Sequence, residues 1–153
     1  MNLGSGGSTY NAVMYNSPTV SVTDKVVGTA AVEFASSSSQ YIQIPPFATT
    51  SSGLSISCWF KFSGSGQYSR IFDFTNNLPR YNSANSNIVF FVYFDDGSIE
   101  VLNGYASYNI PATFGMNIND GVWRHFAWTI SNRGDWCVYL NGVLVQSLSL
   151  IHI

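Results

Sequence analysis

The feature that most constrains this chain is a two-residue hydrophobic period with almost no helical period competing against it. In LSISCWFKF (54–62), Leu54, Ile56, Cys58, Phe60 and Phe62 fall on one side of an extended strand, and Ser55, Ser57, Trp59 and Lys61 fall on the other. That spacing predicts one face in a core and one mostly in water. The same alternation recurs in AVEF (31–34), QYIQI (40–44) and DWCVYL (135–140), where Trp136, Val138 and Leu140 share a face. Each reads as a half-buried strand. NIVFFVYF (87–94) and RHFAWTI (124–130) are apolar at nearly every position, the pattern of central strands covered on both sides or lining a groove. No ten-residue stretch places apolar residues at i, i+3, i+4 and i+7, so the chain reads as all-β.

Turn chemistry joins these runs. Asp96-Gly97 lies ahead of SIEVL (98–102), and Asn141-Gly142 lies between DWCVYL and VLV (143–145). Both dipeptides suit the positive φ angles of type I′ hairpins, which predicts two antiparallel pairs. Gly64-Ser65-Gly66, Asn76-Asn77-Leu78-Pro79 and Asn82-Ser83-Ala84-Asn85 interrupt the pattern, giving a long polar connection that holds the short strand RIFDF (70–74). Roughly ten short strands at this spacing, with no crossover helices, predict two antiparallel sheets packed as a sandwich. No repeat or linker divides residues 1–153, so a single domain is expected.

Composition removes whole classes of function. Only 9% of residues are charged and 16% are aromatic, where globular chains carry about 25% charged residues. A chain so rich in aromatics buries a core and does not stay disordered. Its net charge of -2 supplies no positive field for nucleic acid or anionic lipid. The longest apolar run, Ile88 to Phe94, falls far short of a membrane span, and Met1 to Gly7 shows no signal-peptide pattern. Cys58, Cys137, His125 and His152 do not make a cysteine scaffold or a soft-ligand metal site. A single Cys58–Cys137 bridge stays open, since sequence alone does not show the Cα separation it requires.

The remaining chemistry points to recognition. Glu33 and Glu100, the only glutamates, sit in different strands. There is no nucleophile elbow, no Cys-His pair at a plausible spacing and no phosphate-cradling loop, and the chain is read as a non-enzyme. Tyr68, Arg70, Arg80, Tyr81, Asn82, Tyr105 and Tyr108 lie in or beside polar loops and combine stacking area with hydrogen bonds. Trp59 is a separate candidate on the face opposite Leu54, Ile56 and Cys58; it would stack on a sugar if that face formed a groove, and is merely core if the strand is covered on both sides. Asp95 and Asp96 are first a turn and second a source of calcium oxygens, to which Asp73, Asn119 and Asp120 would add only if the fold gathered those loops. Trp123, His125, Asn141 and Gly142 read as structural, with His125 packed and hydrogen-bonded across its sheet.

The order SSSSQYIQIP (36–45), LSISCWFKF, RIFDF, NDGVWRHFAWTI (119–130) and WCVYLNGVLV (136–145) resembles the laminin G-like, concanavalin A-like lectin superfamily, and looks closest to its LamG-type, pentraxin-related branch. The likeness runs from about Val27 to Val145, and its most specific part is D-G-x-W-x-H followed by a Y-x-N-G hairpin. It implies a jelly-roll sandwich of the concanavalin A-like lectin/glucanase fold. It also implies a recognition module for carbohydrate or a protein ligand, often calcium-dependent, within a larger surface, adhesion or virion-associated protein. The rival is a structural assembly module of a viral or phage particle without a small ligand. Glycosidases of this fold resemble one another in a Glu-x-Asp-x-x-Glu strand, which this sequence lacks. Family members with a disulfide carry its cysteines where this chain has Ser57 and Ala127. Members also continue past the Asn-Gly hairpin into further strands, and residues 148–153 look like adapter read-through, so a C-terminally shortened domain is expected. Much of the calcium site in this branch comes from those later strands, so calcium would belong to the intact domain.

Overall fold

The computed structural model describes residues 7–46, 53–64, 69–74, 88–92, 99–103, 106–110, 118–133 and 135–149. Among them the regular structure is strand, apart from two single 3-10 turns at Gly7–Tyr10 and Ser36–Ser38. The chain forms two compact units, Met1–Thr50 and Ser51–Ile153.

The first unit contains β1 (Val13–Tyr15), β2 (Thr19–Ser21), β3 (Ala31–Glu33) and β4 (Tyr41–Gln43). They pair as two antiparallel ribbons, β1 with β4 and β2 with β3. Neither VMY nor TVS had stood out by alternation, because three residues are too few to show a period. Among the described residues each strand has one partner, and Phe34, at the end of the run AVEF read as a half-buried strand, is 48% exposed. Polar wiring holds the bends instead. Gln40 Nε2 donates to the carbonyls of Asn16 and Ser17, its Oε1 accepts from the Ala35 N–H, and Asn16 Nδ2 donates to Ser39 O. Asn16, Ser17 and Ser39 all have positive φ, so these bonds fix a backbone that their side chains disfavour.

The second unit holds β5 (Gly53–Phe60), β6 (Ser69–Phe74), β7 (Ile88–Val92), β8 (Ile99–Asn103), β9 (Ala106–Ile110), β10 (Arg124–Ser131), β11 (Trp136–Leu140) and β12 (Val143–Leu148). Two four-stranded sheets result, in the orders β12-β11-β10-β5 and β6-β7-β8-β9, with every pairing antiparallel. Both predicted hairpins exist as strand pairs. Asn141 and Gly142 have φ of 50° and 81°, the pair of positive angles a type I′ turn needs. Asp96-Gly97 lies outside the described residues.

The core is built on β10 and β11. Phe126 and Trp128 of β10 and Trp136, Val138 and Leu140 of β11 are buried with Ile118 and Val145, and Ile56, Cys58, Phe60 and Phe62 pack against them. Trp128 meets Trp136 edge to face at 6.2 Å between ring centroids. Two bulges serve this core. Ile71 is the extra residue of β6 opposite Phe91/Phe90, which lets the adjacent Ile71 and Phe72 both reach the cluster. Val145 is the extra residue of β12 and turns inward while Val143 and Leu144 stay exposed. The β10 face opposite the core is half-buried, so RHFAWTI alternates instead of being covered equally on both sides.

Candidate functional site

The half-buried face of the β12-β11-β10-β5 sheet follows from register. Antiparallel pairing puts His125 opposite Trp59, Ala127 opposite Ser57 and Thr129 opposite Ser55. On the other side of β10, Ala127 meets Tyr139 and Thr129 meets Cys137. Directly paired residues point to one face. This face therefore has a floor of small side chains, Ser55, Ser57, Ala127 and Thr129, with Trp59 and His125 at one end and Tyr139 and Cys137 along one side.

Trp59, one residue from the end of the edge strand β5, is 42% exposed. Its ring leans on His125, with centroids 5.3 Å apart and planes tilted by 60°. His125 is fixed in turn by the hairpin beyond β11: its N–H donates to Asn141 Oδ1 at 2.9 Å, and the Asn141 N–H donates to His125 O at 2.8 Å. Near this end Lys61 Nζ lies over the Trp123 ring, 5.6 Å from its centroid. The outcome is an aromatic cluster in which Trp59 packs on His125 and still keeps 42% of its surface exposed.

The Asn-Asp-Gly segment beneath it is a structural corner. Asn119 bonds both ways with Gly64, accepting from its N–H and donating to its carbonyl, each at 2.9 Å. Gly121, at φ +70°, donates its N–H to Phe62 O at 2.8 Å. Asp120 takes both guanidinium nitrogens of Arg124 at 2.7 Å and caps the Val122 N–H at 3.0 Å. Arg124 is only 6% exposed, so this ion pair neutralises a buried charge at the mouth of the core. The Arg124 hydrogen bonds hold the Asp120 carboxyl down at about 2. With their polar atoms engaged in this way, Asn119 and Asp120 serve the corner rather than a calcium ion.

The two cysteines are free. Cys58 faces the core opposite Phe126, and Cys137 lies opposite Thr129 on the other face with β10 between them, which answers the open question of a bridge. Burial pushes the Cys58 thiol up to about 11, making it a poor nucleophile. A hydrogen bond with Cys137 raises the Tyr139 hydroxyl above its usual value. Ser57 and Ala127, the positions matched to the family disulfide, are direct cross-strand partners.

Of the residues singled out by sequence, Trp59, Trp123, His125, Asn141 and Gly142 gather at one end of this sheet. Arg70 is half-buried in β6, and for Tyr108 and Asp73 the backbone alone is described, in β9 and β6. Tyr68, Arg80, Tyr81, Asn82, Tyr105, Asp95 and Asp96 lie outside the described residues. No group of three or more His, Cys, Asp or Glu suited to a metal occurs among the described residues. Sequence reasoning missed the pairing of Trp59 with His125, the Lys61–Trp123 contact and the Asp120–Arg124 bridge. The i, i+4 spacing of the last is a pairing signal on a helix only, and here a bend brings the two side chains together.

A family model for the concanavalin A-like lectin/glucanases superfamily, of laminin G type, matches residues 36–152. The chain belongs to this superfamily. No curated protein and no solved structure matches it. The match begins at Ser36, later than the expected Val27, and runs past Val145 through the end of β12. Domains of the superfamily often act as carbohydrate- or protein-binding modules. Among the described residues, no helix is long and apolar enough to cross a membrane.

Proposed function

We propose that this chain is a non-catalytic recognition module whose ligand is carbohydrate, held on the solvent face of the β12-β11-β10-β5 sheet. The observation that carries the reading is Trp59, a large indole left 42% exposed yet braced by His125. An immobile aromatic face loses little entropy when a sugar ring stacks on it, and the serine and threonine hydroxyls beside it suit the sugar's own hydroxyls. The Asn141 bonds hold the His125 backbone, and the His125 ring packs against Trp59.

The test is a glycan array probed with the full chain, followed by titration of any hit against Trp59→Ala. Tenfold or greater loss of affinity is expected, in the range of an aromatic hot spot. Binding that survives the substitution unchanged moves the ligand to the polar loops carrying Tyr81 and Tyr105. Titration with and without a chelator asks whether calcium contributes. A second reading, an assembly module without a small ligand, draws on the exposed apolar side chains of the first unit, Val13, Met14, Val20, Val22 and Val27 among them. A blank array with stable oligomers would favour it.

A further inference from the structure

We infer that Tyr15 and Tyr41 form an oxidative cross-linking site, at which a one-electron oxidant joins the two rings as dityrosine and closes the first unit covalently. The two residues are direct partners at the end of the β1–β4 ribbon, so their side chains leave it on the same face. Their rings stack with centroids 4.6 Å apart and planes 7° from parallel. Both side chains are exposed, so an oxidant reaches them, and no core packing stops the rings from turning edge to edge as the bond forms. The polar bonds of this ribbon hold the pair together. Asn16, the residue after Tyr15, donates through Nδ2 to Ser39 O, and Gln40, the residue before Tyr41, donates through Nε2 to Asn16 O and Ser17 O. These bonds tie the chain leaving β1 to the chain entering β4, immediately beyond the tyrosines. The fold thereby supplies each ring with its partner at an effective concentration on the order of millimolar or above. Separate chains at micromolar concentration do not compete with that.

In the reaction each phenol gives up one electron and one proton to become a phenoxyl radical. The two radicals join through the carbon ortho to each oxygen, and the hydrogen on each of those carbons moves to the oxygen to restore the phenol. The chain loses two hydrogen atoms, which hydrogen peroxide, acting through a haem peroxidase, takes up in forming two waters. What the bond adds follows from what the first unit lacks. None of its described side chains is buried, and both cysteines lie in the second unit. A small unit without a packed core gains most from a covalent staple, and a bond from Tyr15 to Tyr41 closes the segment that holds β2 and β3.

The test treats the full chain, at low micromolar concentration, with limiting hydrogen peroxide and a catalytic amount of a haem peroxidase. Dityrosine fluorescence should develop, and the intact monomer should become lighter by two hydrogens. Trypsin cuts after Lys25 and after Lys61, so the bond appears as peptide 1–25 joined to peptide 26–61, in which Tyr41 is the only tyrosine. Tyr15→Phe and Tyr41→Phe keep two aromatic rings but remove one phenol, and each should lower the joined product about tenfold or more, since no other ring is held so close. Tyr15→Phe also separates Tyr15 from Tyr10, which shares its peptide. Far-UV spectra matching wild type confirm that each variant folds. A monomer that keeps its hydrogens overturns the inference. So does dityrosine formed mainly between chains, or a Phe variant that yields the joined peptide as wild type does.

Discussion

The two units of this chain are comparably rich in apolar residues but use them in opposite ways. In the first, Val13, Met14, Val20, Val22, Val26, Val27, Phe34 and Ile44 are exposed, and none of the described side chains is buried. In the second, apolar side chains of β10 and β11 disappear from solvent. The difference is strand length and partner number. A three-residue strand with one partner cannot layer side chains, whereas β10 aligns eight residues with β5 and five with β11 and so stacks three rows of side chains on one face. The first unit is held mainly by directional polar bonds, the second by packing.

Truncation should break this contrast most sharply. Phe126→Ala removes a side chain with no exposure at the crossing of three strands and should cost about 3–5 kcal/mol in denaturant unfolding. Phe34→Ala, in the first unit, should stay within about 0.5 kcal/mol. Equal losses would mean that Phe34 is covered in solution and that the contrast is wrong.

A backbone pair gives the next largest effect. Gly53 and Gly28 both have positive φ, +104° and +79°, but a Cβ on Gly53 would lie 2.3 Å from Ile130 O, while nothing lies within 4 Å of one on Gly28. Gly53→Ala should therefore destabilise by about 2–3 kcal/mol, through both the φ angle and a clash with β10 that neither backbone can yield to. Gly28→Ala meets only the conformational term, about 1 kcal/mol. Thermal denaturation of the two variants reads the gap directly.

The strand pattern of β5, β11 and β12 in the second unit is legible in the sequence, and the reason is physical. Alternation over five or more residues names the face, and the Asn141-Gly142 turn sets the register, so the core residues Trp136, Val138 and Leu140 follow, whereas RHFAWTI reads as covered on both sides and its core side chains Phe126 and Trp128 emerge only from the structure. The first unit was not legible in the same way, because Val13–Tyr15 and Thr19–Ser21 are shorter than the pattern that would reveal them. The site was legible by face but not by neighbour. Parity puts Trp59 on the face opposite Leu54, Ile56 and Cys58 without deciding whether that face is a groove or core, and gives His125 a packed role. Their contact depends on how β5 registers with β10 across more than sixty intervening residues, which no local signal encodes.

The ion pair at the corner sharpens the comparison through pH. Asp120 titrates at about 2 in the folded chain, against about 3.9 for an unperturbed aspartate. A carboxylate with a depressed folded pKa contributes stability that is whole above its unfolded value and is lost as pH falls toward its folded value. The second unit should accordingly weaken between about pH 4 and pH 2. Asp120→Asn should lose that step, being less stable at neutral pH and converging on wild type in acid. An acid limb that persists in Asp120→Asn would assign the titration to another carboxylate.

A small expected effect on stability belongs to the residue with the largest expected effect on binding. Trp59→Ala removes an exposed side chain of an edge strand, so the fold loses little more than its contact with His125, about 1 kcal/mol or less. Ala127→Cys with Ser57→Cys offers the opposite case on the same face. These positions are direct partners, and a bridge closing the long segment between them should stabilise by up to about 4 kcal/mol while laying a disulfide across the floor. If the floor carries ligand, the bridged variant should melt higher yet bind more weakly, whereas Trp59→Ala should melt nearly as wild type and also bind more weakly. Two substitutions that move stability in opposite directions but affinity in the same one would separate recognition from folding on this face. Unchanged affinity in both would show that the open indole has no ligand.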